Sequence, residues 1–468
     1  FNARPWELQK TESIDVMDAV GSAIRVDSRG REVMRIMPRV NEDVNEEWIS
    51  DKTRFIWDGL KSQRLDRPYL RENGRLRPAT WQEAFAAIAA KVKAAKPEKI
   101  GAIAGDLAAA EEMFALKQLI EKLGSANIDA RQDGSAAHPK FGRASYVFNA
   151  TIAGIEDADS VTIIGANPRK EASVLNARIR KRWLKGNFKI RVIGEKADLT
   201  YDYDYLGAGP DTLANLAAPE GSTKPLFIVG AGALARPDGA AILAAAAKAA
   251  AAAGAIKDGW NGFSVLQSAA SRVGALDLGL VPGEGGLTAR EMAAGGVDVL
   301  FNLGADEIDV APGPFVIYQG AHGDRGAHRA DVILPCAAYT EKSGLFVNLE
   351  GRVQLANRAA FPPGDAREDW AILRALSDLL GHRLPFDSLA QLRTALYAAH
   401  PHFAAVDSIA PSDAGPVQSL ASLGSKMDSA PLRSGVDDFY LTNPIARASA
   451  IMAECSALAR GKLATAAE

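Results

Sequence analysis

The sequence predicts an α/β protein with parallel sheets in several lobes, preceded by a small amino-terminal β unit. Short apolar runs bounded by glycine alternate with amphipathic segments, which is the pattern of βαβ units on a parallel sheet. Before these units, Ile24 and Val26 alternate with polar residues, and a Ser-Arg-Gly turn leads into a second apolar run. This pattern predicts a hairpin over residues 22–38. A chain of 468 residues exceeds one hydrophobic core, so two to four subdomains are expected.

The predicted elements follow in order along the chain. Thr80 and Glu83 form a capping box that opens a helix toward residue 95. A first α/β series then has strands at 99–105, 160–165 and 188–194, with helices reaching 124 and 185. A second series has strands at 224–230, 297–304 and 313–319, with a helix at 238–253. Strands at 344–357, helices at 367–381 and 388–400 and a Ser-, Pro- and Ala-rich tail that wraps a surface complete the prediction.

These elements group into four predicted segments. The groups follow the composition shifts and the alternation of strands with helices. We expect a small β-rich domain at 1–78, a first α/β lobe at 79–223, a second at 224–343, and linking strands, helices and tail at 344–468.

Composition excludes several classes of partner and site. The 54 basic and 57 acidic residues nearly balance, so the chain as a whole does not attract nucleic acid or anionic lipid. The most apolar stretch, residues 239–256, is mostly alanine and contains Lys248, which favours a soluble helix over a membrane span. Only Cys336 and Cys455 are present, far apart, which argues against a disulfide framework and against a cluster site.

Two glycine turns are candidate ligand-binding sites. Residues 230–235 fit a dinucleotide fingerprint between a strand and a helix, yet an alanine helix lies where a ribose-binding carboxylate is needed, so a plain strand-to-helix turn is favoured. The turn Gly165-Ala-Asn167-Pro168 precedes a helix rich in arginine and lysine. A phosphate could bind at that helix N-terminus, but spacing alone favours a solvated basic face. Histidines 322 and 328, and 400 and 402, lack the spacing and third ligand of a zinc site.

Several longer motifs resemble those of the molybdopterin oxidoreductase family. They are Val161-Thr-Ile-Ile-Gly-Ala-Asn-Pro168, Val297-Asp-Val-Leu-Phe-Asn-Leu-Gly-Ala-Asp306, Ala330-Asp-Val-Ile-Leu-Pro335, and Phe346-Val-Asn-Leu-Glu-Gly-Arg-Val-Gln354. The resemblance implies a multi-lobed fold in which two glycine loops line a cleft for a pterin-guanine dinucleotide. In this sequence the loops correspond to Gly165, Asn167, Pro168, Gly304 and Asp306.

The amino-terminal motifs are similar to those of a narrower family, the large iron-sulfur subunit of respiratory complex I, known in bacteria as the G subunit. They are Arg4-Pro-Trp-Glu7, Lys10-Thr-Glu-Ser-Ile-Asp15, Asp18-Ala-Val-Gly21 and Asn45-Glu-Glu-Trp-Ile-Ser-Asp-Lys-Thr-Arg54. The resemblance covers residues 1–365, with a tail that is similar only in character. It implies [2Fe-2S] and [4Fe-4S] clusters whose ligands lie upstream of Arg4, and none in the segment at hand.

Departures from the active enzymes of the wider family imply that its chemistry is lost. Only Asp133, or Ser135 slightly displaced, stands where active members carry the metal ligand. Many members have Asp-Pro-Arg where this chain has Gly194-Glu-Lys196, so the acidic guanosine contact is expected to be missing. The resemblance therefore implies vestigial loops, no molybdopterin, and no catalytic, cofactor-binding or metal residue.

The function implied by the resemblance is structural. We expect a non-catalytic part of the NADH:quinone oxidoreductase peripheral arm, which supports electron transfer from NADH to quinone coupled to proton translocation. The partners are other peripheral-arm subunits, without nucleic acid or a membrane span. The expected location is the cytoplasmic side of a bacterial inner membrane, or the matrix side of the mitochondrial one. The alternatives are a molybdenum or tungsten bis-pterin oxidoreductase and a nicotinamide-binding enzyme that uses residues 230–235.

Overall fold

The chain begins with a three-stranded antiparallel sheet, as seen in a computed structural model that describes residues 3–421 and 426–461. The strand order is β1-β2-β3, and the predicted hairpin over 22–38 is confirmed. Asp27 lies on β2 with its carboxylate fully buried and holds Arg25 and Arg35 at 2.8 and 2.7 Å. The pair with Arg35 joins β2 to β3, and the pair with Arg25 lies within β2.

Nineteen strands and fifteen α-helices are assigned among the described residues. The strands are β1 Gln9–Ile14, β2 Ala23–Arg29, β3 Glu32–Pro38, β4 Tyr69–Glu72, β5 Arg75–Pro78, β6 Ile100–Ala104, β7 Ile128–Asp129, β8 Ser160–Ile164, β9 Lys189–Ile193, β10 Asp204–Gly207, β11 Pro225–Gly230, β12 Ile256–Lys257, β13 Trp260–Asn261, β14 Phe263–Leu266, β15 Val299–Leu303, β16 Phe315–Gly320, β17 Val332–Pro335, β18 Gly344–Val347 and β19 Val353–Ala356. The helices are α1 Asp51–Phe55, α2 Trp81–Ala94, α3 Ala110–Lys122, α4 Pro168–Glu171, α5 Ser173–Leu184, α6 Ala231–Leu234, α7 Gly239–Ala252, α8 Arg272–Asp277, α9 Ala289–Glu291, α10 Arg325–Arg329, α11 Asp369–Leu379, α12 Leu389–Ala399, α13 Gly415–Leu420, α14 Pro444–Ala448 and α15 Ala450–Ala459.

Two larger sheets carry the α/β part. The first sheet is all parallel, in the order β10-β9-β8-β11-β14. The second sheet has the order β5-β4-β17-β16-β15-β6-β7, with β4 antiparallel to β17 and the strands from β17 to β7 parallel. The α/β class with parallel sheets and a small amino-terminal β sheet is therefore confirmed.

The two large sheets share the chain in an interleaved way. The second sheet pairs β6, from early in the chain, with β15, so that Ile100 lies opposite Val299. The first sheet likewise pairs β8 with β11, across residue 223. Each sheet thus combines strands from both predicted lobes, and the four-segment division stays a prediction about folding units.

The predicted local signals are realised in the helices. Thr80 and Glu83 close the capping box of α2, since the Thr80 hydroxyl accepts from the Glu83 amide and the Glu83 carboxylate accepts from the Thr80 amide. The alanine stretch forms α7, which buries Ile242 and Leu243. None of the described helices is both long and apolar enough to cross a membrane. The strands predicted at 344–357 form the hairpin β18–β19.

A buried ion triad links three distant parts of the chain. The Lys342 ammonium lies 2.7 Å from the carboxylate of Glu112 on α3 and 2.8 Å from that of Asp369 on α11. Gln319 donates a further hydrogen bond to Asp369 at 3.0 Å. Burial, together with the nearby Asp369, raises the pKa of Glu112. Although burial opposes a charged ammonium, Asp369 and Glu112 raise the pKa of Lys342.

We predict that Lys342→Met destabilises the protein by about 3–5 kcal/mol, because the two buried acidic side chains lose their cation. Chemical denaturation followed by circular dichroism measures the loss. The matched control is Lys117→Met, which removes an i,i+4 pair with the more exposed Glu121 and should cost at most about 0.5 kcal/mol. Equal losses in the two variants would contradict a structural role for the triad.

Candidate functional site

Glycine turns follow the carboxyl ends of neighbouring strands in the first sheet. Gly165 follows β8 and Gly194 follows β9, with φ values of 58° and 134° that favour glycine. Gly230 ends β11. In parallel α/β sheets, ligands bind in the crevice outside these carboxyl ends. The turns therefore mark where a ligand of this sheet would lie.

The predicted loop residues after β8 take part in the turn and the short helix that follow the strand. The Asn167 amide donates to Glu171 Oε1 at 2.8 Å, and Pro168 is the first residue of α4. Asn167 Oδ1 is buried without a hydrogen-bond partner among the described residues. Gly165 supplies the left-handed turn between the strand and this short helix.

The second predicted loop, after β15, is also held internally. Gly304 has φ 63°, and Asn302 closes the turn by accepting from the Ala305 amide at 2.7 Å. Asp306 is buried and accepts from the Gly326 amide and from the Tyr318 hydroxyl, each at 2.9 Å. Burial raises the pKa of Asp306 to about 6. Its hydrogen-bonding capacity is thus directed into the protein.

The two positions that could replace a metal ligand are paired as well. Asp133 forms an ion pair with the buried Arg272 at 3.0 Å. The Ser135 hydroxyl accepts from the Ala137 amide. Arg290 donates to the backbone carbonyl of Asp133. Each group therefore has a partner within the chain.

A cleft of about 540 Å³ lies outside the carboxyl ends of both sheets. Asp106 follows β6, Glu307 follows β15, and Gly232 follows β11, and all three line it. Its charged walls include acids and bases in similar number. They include Lys52, Asp106, Asp133, Arg272, Glu307 and Arg447. The cleft therefore offers no strongly positive or negative cavity.

Most of these cleft charges are neutralised locally. Arg447 lies 2.6 Å from Glu307 and 2.5 Å from Asp324. Burial nevertheless raises the pKa of Glu307 to about 7. Lys52 donates to the Thr442 hydroxyl at 2.9 Å, and burial lowers its pKa. The arrangement supports packing of charge pairs, and no activated nucleophile stands among the described cleft residues.

A segment near the carboxyl end of the chain crosses the cleft, and we call residues 428–438 the C-terminal strap. Arg236, just after α6, anchors its first part. The guanidinium donates to the carbonyl oxygens of Ala430 at 2.5 Å and Asp428 at 3.0 Å. Asp238 accepts from the Asp428 amide at 2.7 Å and pairs with Arg236.

The middle of the strap lies on the glycine turns of the first sheet. Leu432 is fully buried, and its amide donates to the Ala208 carbonyl at 2.8 Å, just after β10. A Cβ at Gly165 would lie 3.2 Å from the Cβ of Leu432, and one at Gly194 would lie 3.1 Å from its carbonyl oxygen. Arg433 pairs with Glu195 at 3.4 Å, at the position of the expected guanosine contact.

The last part of the strap covers Gly232 and α4. A Cβ at Gly232 would lie 2.4 Å from the Arg433 carbonyl oxygen and 2.5 Å from the Gly435 nitrogen. The Ser434 hydroxyl donates to Glu171 at 2.6 Å, and Lys170 donates to the Asp437 carbonyl at 2.9 Å. The turns that would hold the nucleotide portion of a pterin cofactor are therefore filled by protein, and the cofactor does not fit them.

The basic helix after Pro168 does not present a free cationic face. Arg178 donates to the carbonyl oxygens of Glu42 and Asp43 in the amino-terminal unit. Lys181 and Lys185 pair with Glu156. Further cations on the same stretch have internal acceptors as well: Arg169 with Asp198, Arg180 with Thr200 and Arg182 with Ala158. The helix thus serves to join segments of the chain.

The turn at 230–235 is the start of α6, and its glycines serve close packing. Gly230 approaches the Gly165 backbone, where a Cβ would lie 2.3 Å from the carbonyl oxygen. Gly232 faces the strap, as described above. The next segment is the alanine helix α7, so the ribose-binding acid that a nicotinamide site needs has no counterpart there.

One histidine of each predicted pair has a polar partner within the protein. His322 is buried, and its Nε2 lies 2.9 Å from the Gly59 carbonyl oxygen. His402 lies 3.2 Å from the Asp277 carboxylate. Within residues 3–421 and 426–461, no group of three or more His, Cys, Asp or Glu is placed to hold a metal ion.

The family model for molybdopterin oxidoreductases matches residues 64–379, which include both large sheets. The chain belongs to the molybdopterin oxidoreductase family. Two narrower models match its ends. The NDSU1/NuoG-like 4Fe-4S domain of NADH-ubiquinone oxidoreductase matches residues 8–58, and the C-terminal model of the NADH-ubiquinone oxidoreductase G subunit matches residues 408–455.

Three relatives are named as subunits of NADH dehydrogenases or NADH:quinone oxidoreductases. The chain is 44% identical to the mitochondrial NADH dehydrogenase [ubiquinone] iron-sulfur protein 1 of Solanum tuberosum, over 98% of this chain and 63% of the relative. It is 47% identical to the mitochondrial NADH-ubiquinone oxidoreductase 78 kDa subunit of Candida albicans (97% and 65%) and 45% identical to the NADH-quinone oxidoreductase G subunit of Rickettsia bellii (97% and 66%). The chain thus spans just under two thirds of these relatives. The resemblance to the large iron-sulfur subunit is confirmed.

Solved structures of low identity share the fold. Acetylene hydratase from Pelobacter acetylenicus matches with a TM-score of 0.57 at 12% identity, over 96% of this chain and 78% of the hydratase. A chain of the formyltransferase/hydrolase complex from Methylorubrum extorquens matches with a TM-score of 0.50 at 17% identity, over 67% of this chain and 98% of that one. At these identities the similarity concerns the fold alone.

The prediction that the resemblance ends at residue 365 was wrong. The C-terminal model matches residues 408–455, and the three relatives align over 97–98% of the chain. The tail has little periodicity because it contains the strap, whose sequence has to follow turns of other elements. Its sequence therefore lacked the repeating pattern by which helices and strands are recognised.

The match at residues 8–58 supports iron-sulfur cofactors for this family. Iron-sulfur clusters require thiolate or, in some cases, imidazole ligands, and residues 8–58 contain neither cysteine nor histidine. Both cysteines of the chain lie elsewhere, with Cys336 buried. The donor set of this segment therefore does not fit a cluster, although its sequence matches a cluster-domain model.

Sequence reasoning missed the residues that fill the cleft. Arg236 and Leu432 carry no motif, and their partners are backbone atoms far away in sequence. The available signal was compositional, namely a Pro-, Gly- and Ser-containing stretch at 429–435 without helical or strand periodicity. Such a stretch indicates a loop but does not indicate what the loop covers.

We predict that the purified chain contains no molybdenum, tungsten or pterin, because the strap occupies the glycine turns and Asp133 is paired with Arg272. Elemental analysis and pterin fluorescence after oxidation provide the measurement. A molybdenum enzyme with bound pterin, assayed in parallel at the same protein concentration, serves as the sensitivity control. Stoichiometric metal with pterin would contradict the prediction.

We predict that His322 makes the protein less stable in acid. Burial, with Arg64 nearby, lowers the pKa of His322 to about 3, whereas the unfolded value is about 6.5. Between these values only the unfolded chain binds the proton, so stability is lost as the pH falls through this window. From pH 6.5 to 4.5 the loss is about 2–3 kcal/mol.

The measurement compares denaturation of the wild type and His322→Gln across this pH range. The glutamine variant lacks the titrating ring, so its stability should depend less on pH by that amount. The control is the same exchange at the exposed His382. Parallel curves for the wild type and His322→Gln would refute the assignment.

Proposed function

We propose that this chain is a non-catalytic scaffold in the peripheral arm of an NADH:quinone oxidoreductase, the proton-translocating respiratory complex I. It supports electron transfer from NADH to quinone by holding neighbouring parts of the arm in place. Its partners are other peripheral-arm subunits. The chain itself contributes no catalytic residue, no cofactor-binding residue and no metal ligand.

The observation that supports this proposal most strongly is the similarity to complex I subunits over nearly the whole chain. Relatives named as complex I subunits are 44–47% identical over 97–98% of it. Identity at this level, spread over all segments, supports the same role for the region as a whole. Coverage of the glycine turns by the strap supports a role without chemistry, since fold alone does not carry function.

The alternative of a molybdenum or tungsten bis-pterin enzyme is not favoured. Gly165, Gly194 and Gly232 all contact the strap, whose backbone takes the space of a nucleotide. Asp306 directs its carboxylate to Tyr318 and Gly326. A pterin enzyme would need each of these groups to turn toward the cleft.

The iron-sulfur clusters belong, in this proposal, to polypeptide that adjoins residues 8–58. That segment matches the cluster-domain model but lacks thiolates. We propose that [2Fe-2S] and [4Fe-4S] clusters are held by cysteines outside this chain's 468 residues, and that the three-stranded sheet packs against the domain that holds them. In this proposal the segment holds the cluster-bearing domain in position and does not itself carry electrons.

Exposed apolar side chains in the amino-terminal unit support such packing. Trp6 is 77% exposed, Val40 64%, Trp48 59% and Phe55 42%. Three of these four side chains are aromatic, and aromatic residues are enriched where proteins associate. This unit is therefore the proposed contact with the cluster-bearing part.

The proposed location is peripheral to an energy-transducing membrane. Relatives come from mitochondria and from a bacterium, and no described helix could span a bilayer. We propose the cytoplasmic side of a bacterial inner membrane, with the matrix side of the mitochondrial membrane as the equivalent.

We predict that the double variant Trp6→Ser, Phe55→Ser lowers assembly of the chain into the oxidoreductase. Loss of an aromatic contact at an interface costs about 2 kcal/mol or more, which is roughly 30-fold in affinity. The variant replaces the wild type in its host, the membranes are solubilised gently, and native gels measure the assembled complex. NADH:quinone reductase activity should fall in proportion.

The control variant is Phe361→Ser, since Phe361 is 56% exposed but lies outside the amino-terminal unit. It should leave assembly unchanged. Unfolding temperatures of all variants must match the wild type. If the tagged wild-type chain purified without NADH:quinone reductase activity, the proposed function would fall. If the activity purified with the wild type and the double variant assembled equally well, the contact surface alone would fall.

A further inference from the structure

We propose that the C-terminal strap is a tethered replacement for the nucleotide of the family's cofactor. The segment covers the carboxyl edge of the first sheet and keeps guanine nucleotides out. The inference concerns this chain's own residues and stands apart from the proposed role in complex I. It rests on where the strap lies, how closely it is packed, and what holds it.

The location of the strap is that of a ligand of a parallel sheet. Such ligands lie across the carboxyl ends of adjacent strands. The strap contacts the turns after β8, β9, β10 and β11, which are neighbours in the sheet order. One continuous segment thus covers four consecutive strand ends, where a loop that merely passed over the surface would contact fewer.

The strap packs on the glycine turns at backbone distance. Gly232 has a helical backbone, yet a Cβ there would lie 2.4 Å from one strap atom and 2.5 Å from another. Leu432 is fully buried between the Gly165 and Gly194 turns. A nucleotide could contact the turns at Gly165, Gly194 and Gly232 only if the strap moved away from them.

The anchoring is polar and comes from both sides. Arg236 donates to the carbonyl oxygens of Asp428, Ala430 and Pro431. On the other side, Glu171 accepts from Ser434, and Lys170 donates to Asp437. These groups satisfy backbone polar atoms of the strap in the way that a binding site satisfies those of a ligand.

Hydrogen exchange on the 468-residue chain tests the proposal. A docked replacement should exchange slowly, so the Leu432 amide, which bonds to Ala208, should be protected within about tenfold of the amides of β8 and β11. Mass spectrometry with peptide resolution over 428–438 gives the rates. Exchange of this segment at the rate of an unfolded chain would overturn the proposal.

Gly232→Ala tests whether packing against the turn holds the strap. The backbone of Gly232 is helical and accepts alanine, and the three atoms nearest to the added methyl group all belong to the strap. Protection of residues 428–438 should fall at least about tenfold, while helix α7 stays protected. The matched control is Gly323→Ala, where the nearest atom to the new Cβ is 3.7 Å away. Unchanged strap protection in Gly232→Ala would overturn the inference.

A second variant covers the case in which Gly232→Ala fails to fold. Arg236→Gln adds no atom that could clash and removes the anchors to Asp428, Ala430 and Pro431. It should also release the strap in exchange, with α7 unaffected. Retained protection in this variant counts against the proposal in the same way.

Guanosine diphosphate is the probe for exclusion of the nucleotide. The wild-type chain should show no saturable binding up to about 1 mM, a concentration that corresponds to roughly 4 kcal/mol of binding free energy. Titration calorimetry provides the measurement, with a guanine-nucleotide-binding protein as positive control. Saturable binding, with the strap either displaced or still protected, would overturn the claim that the segment replaces the nucleotide.

Discussion

The rest of this structure depends on how the carboxyl edge of the first sheet is covered. Parallel strands end there in glycine turns that approach one another closely, and their backbone groups and apolar neighbours have to be covered. In this chain the cover is the C-terminal strap, with Leu432 inserted between Gly165 and Gly194. The position of the tail follows from this requirement.

The charges of the cleft can be understood in the same way. Buried acids and bases need one another, because an unpaired buried charge is costly. Arg272 pairs with Asp133, and Arg447 pairs with Glu307. These residues lie at the strand ends where related folds bind ligands, and here they form ion pairs within the protein. The same sheets thus support a structural role without a change of architecture.

Local signals in the sequence predicted the elements well, because each depends on neighbouring residues. The capping box at Thr80, the hairpin at 22–38 and the alternation of strands with helices all express short-range physics. The loops at Gly165 and Gly304 were located for the same reason. Leu432 and Arg236 could not be found in this way, because their roles depend on partners that are distant in sequence. Arg236, for example, donates to the carbonyl oxygen of Ala430. The pairing of β6 with β15 depends on equally distant partners.

The interleaving of the sheets has a consequence for how the chain is made. On the ribosome, β6 emerges long before β15, the strand that must lie beside it. At about 5–20 residues per second, the delay between the two is on the order of tens of seconds. During that time a buried strand has an open edge, which is the kind of surface that pairs wrongly with other chains. The nascent amino-terminal half therefore exposes this edge until the later strands arrive.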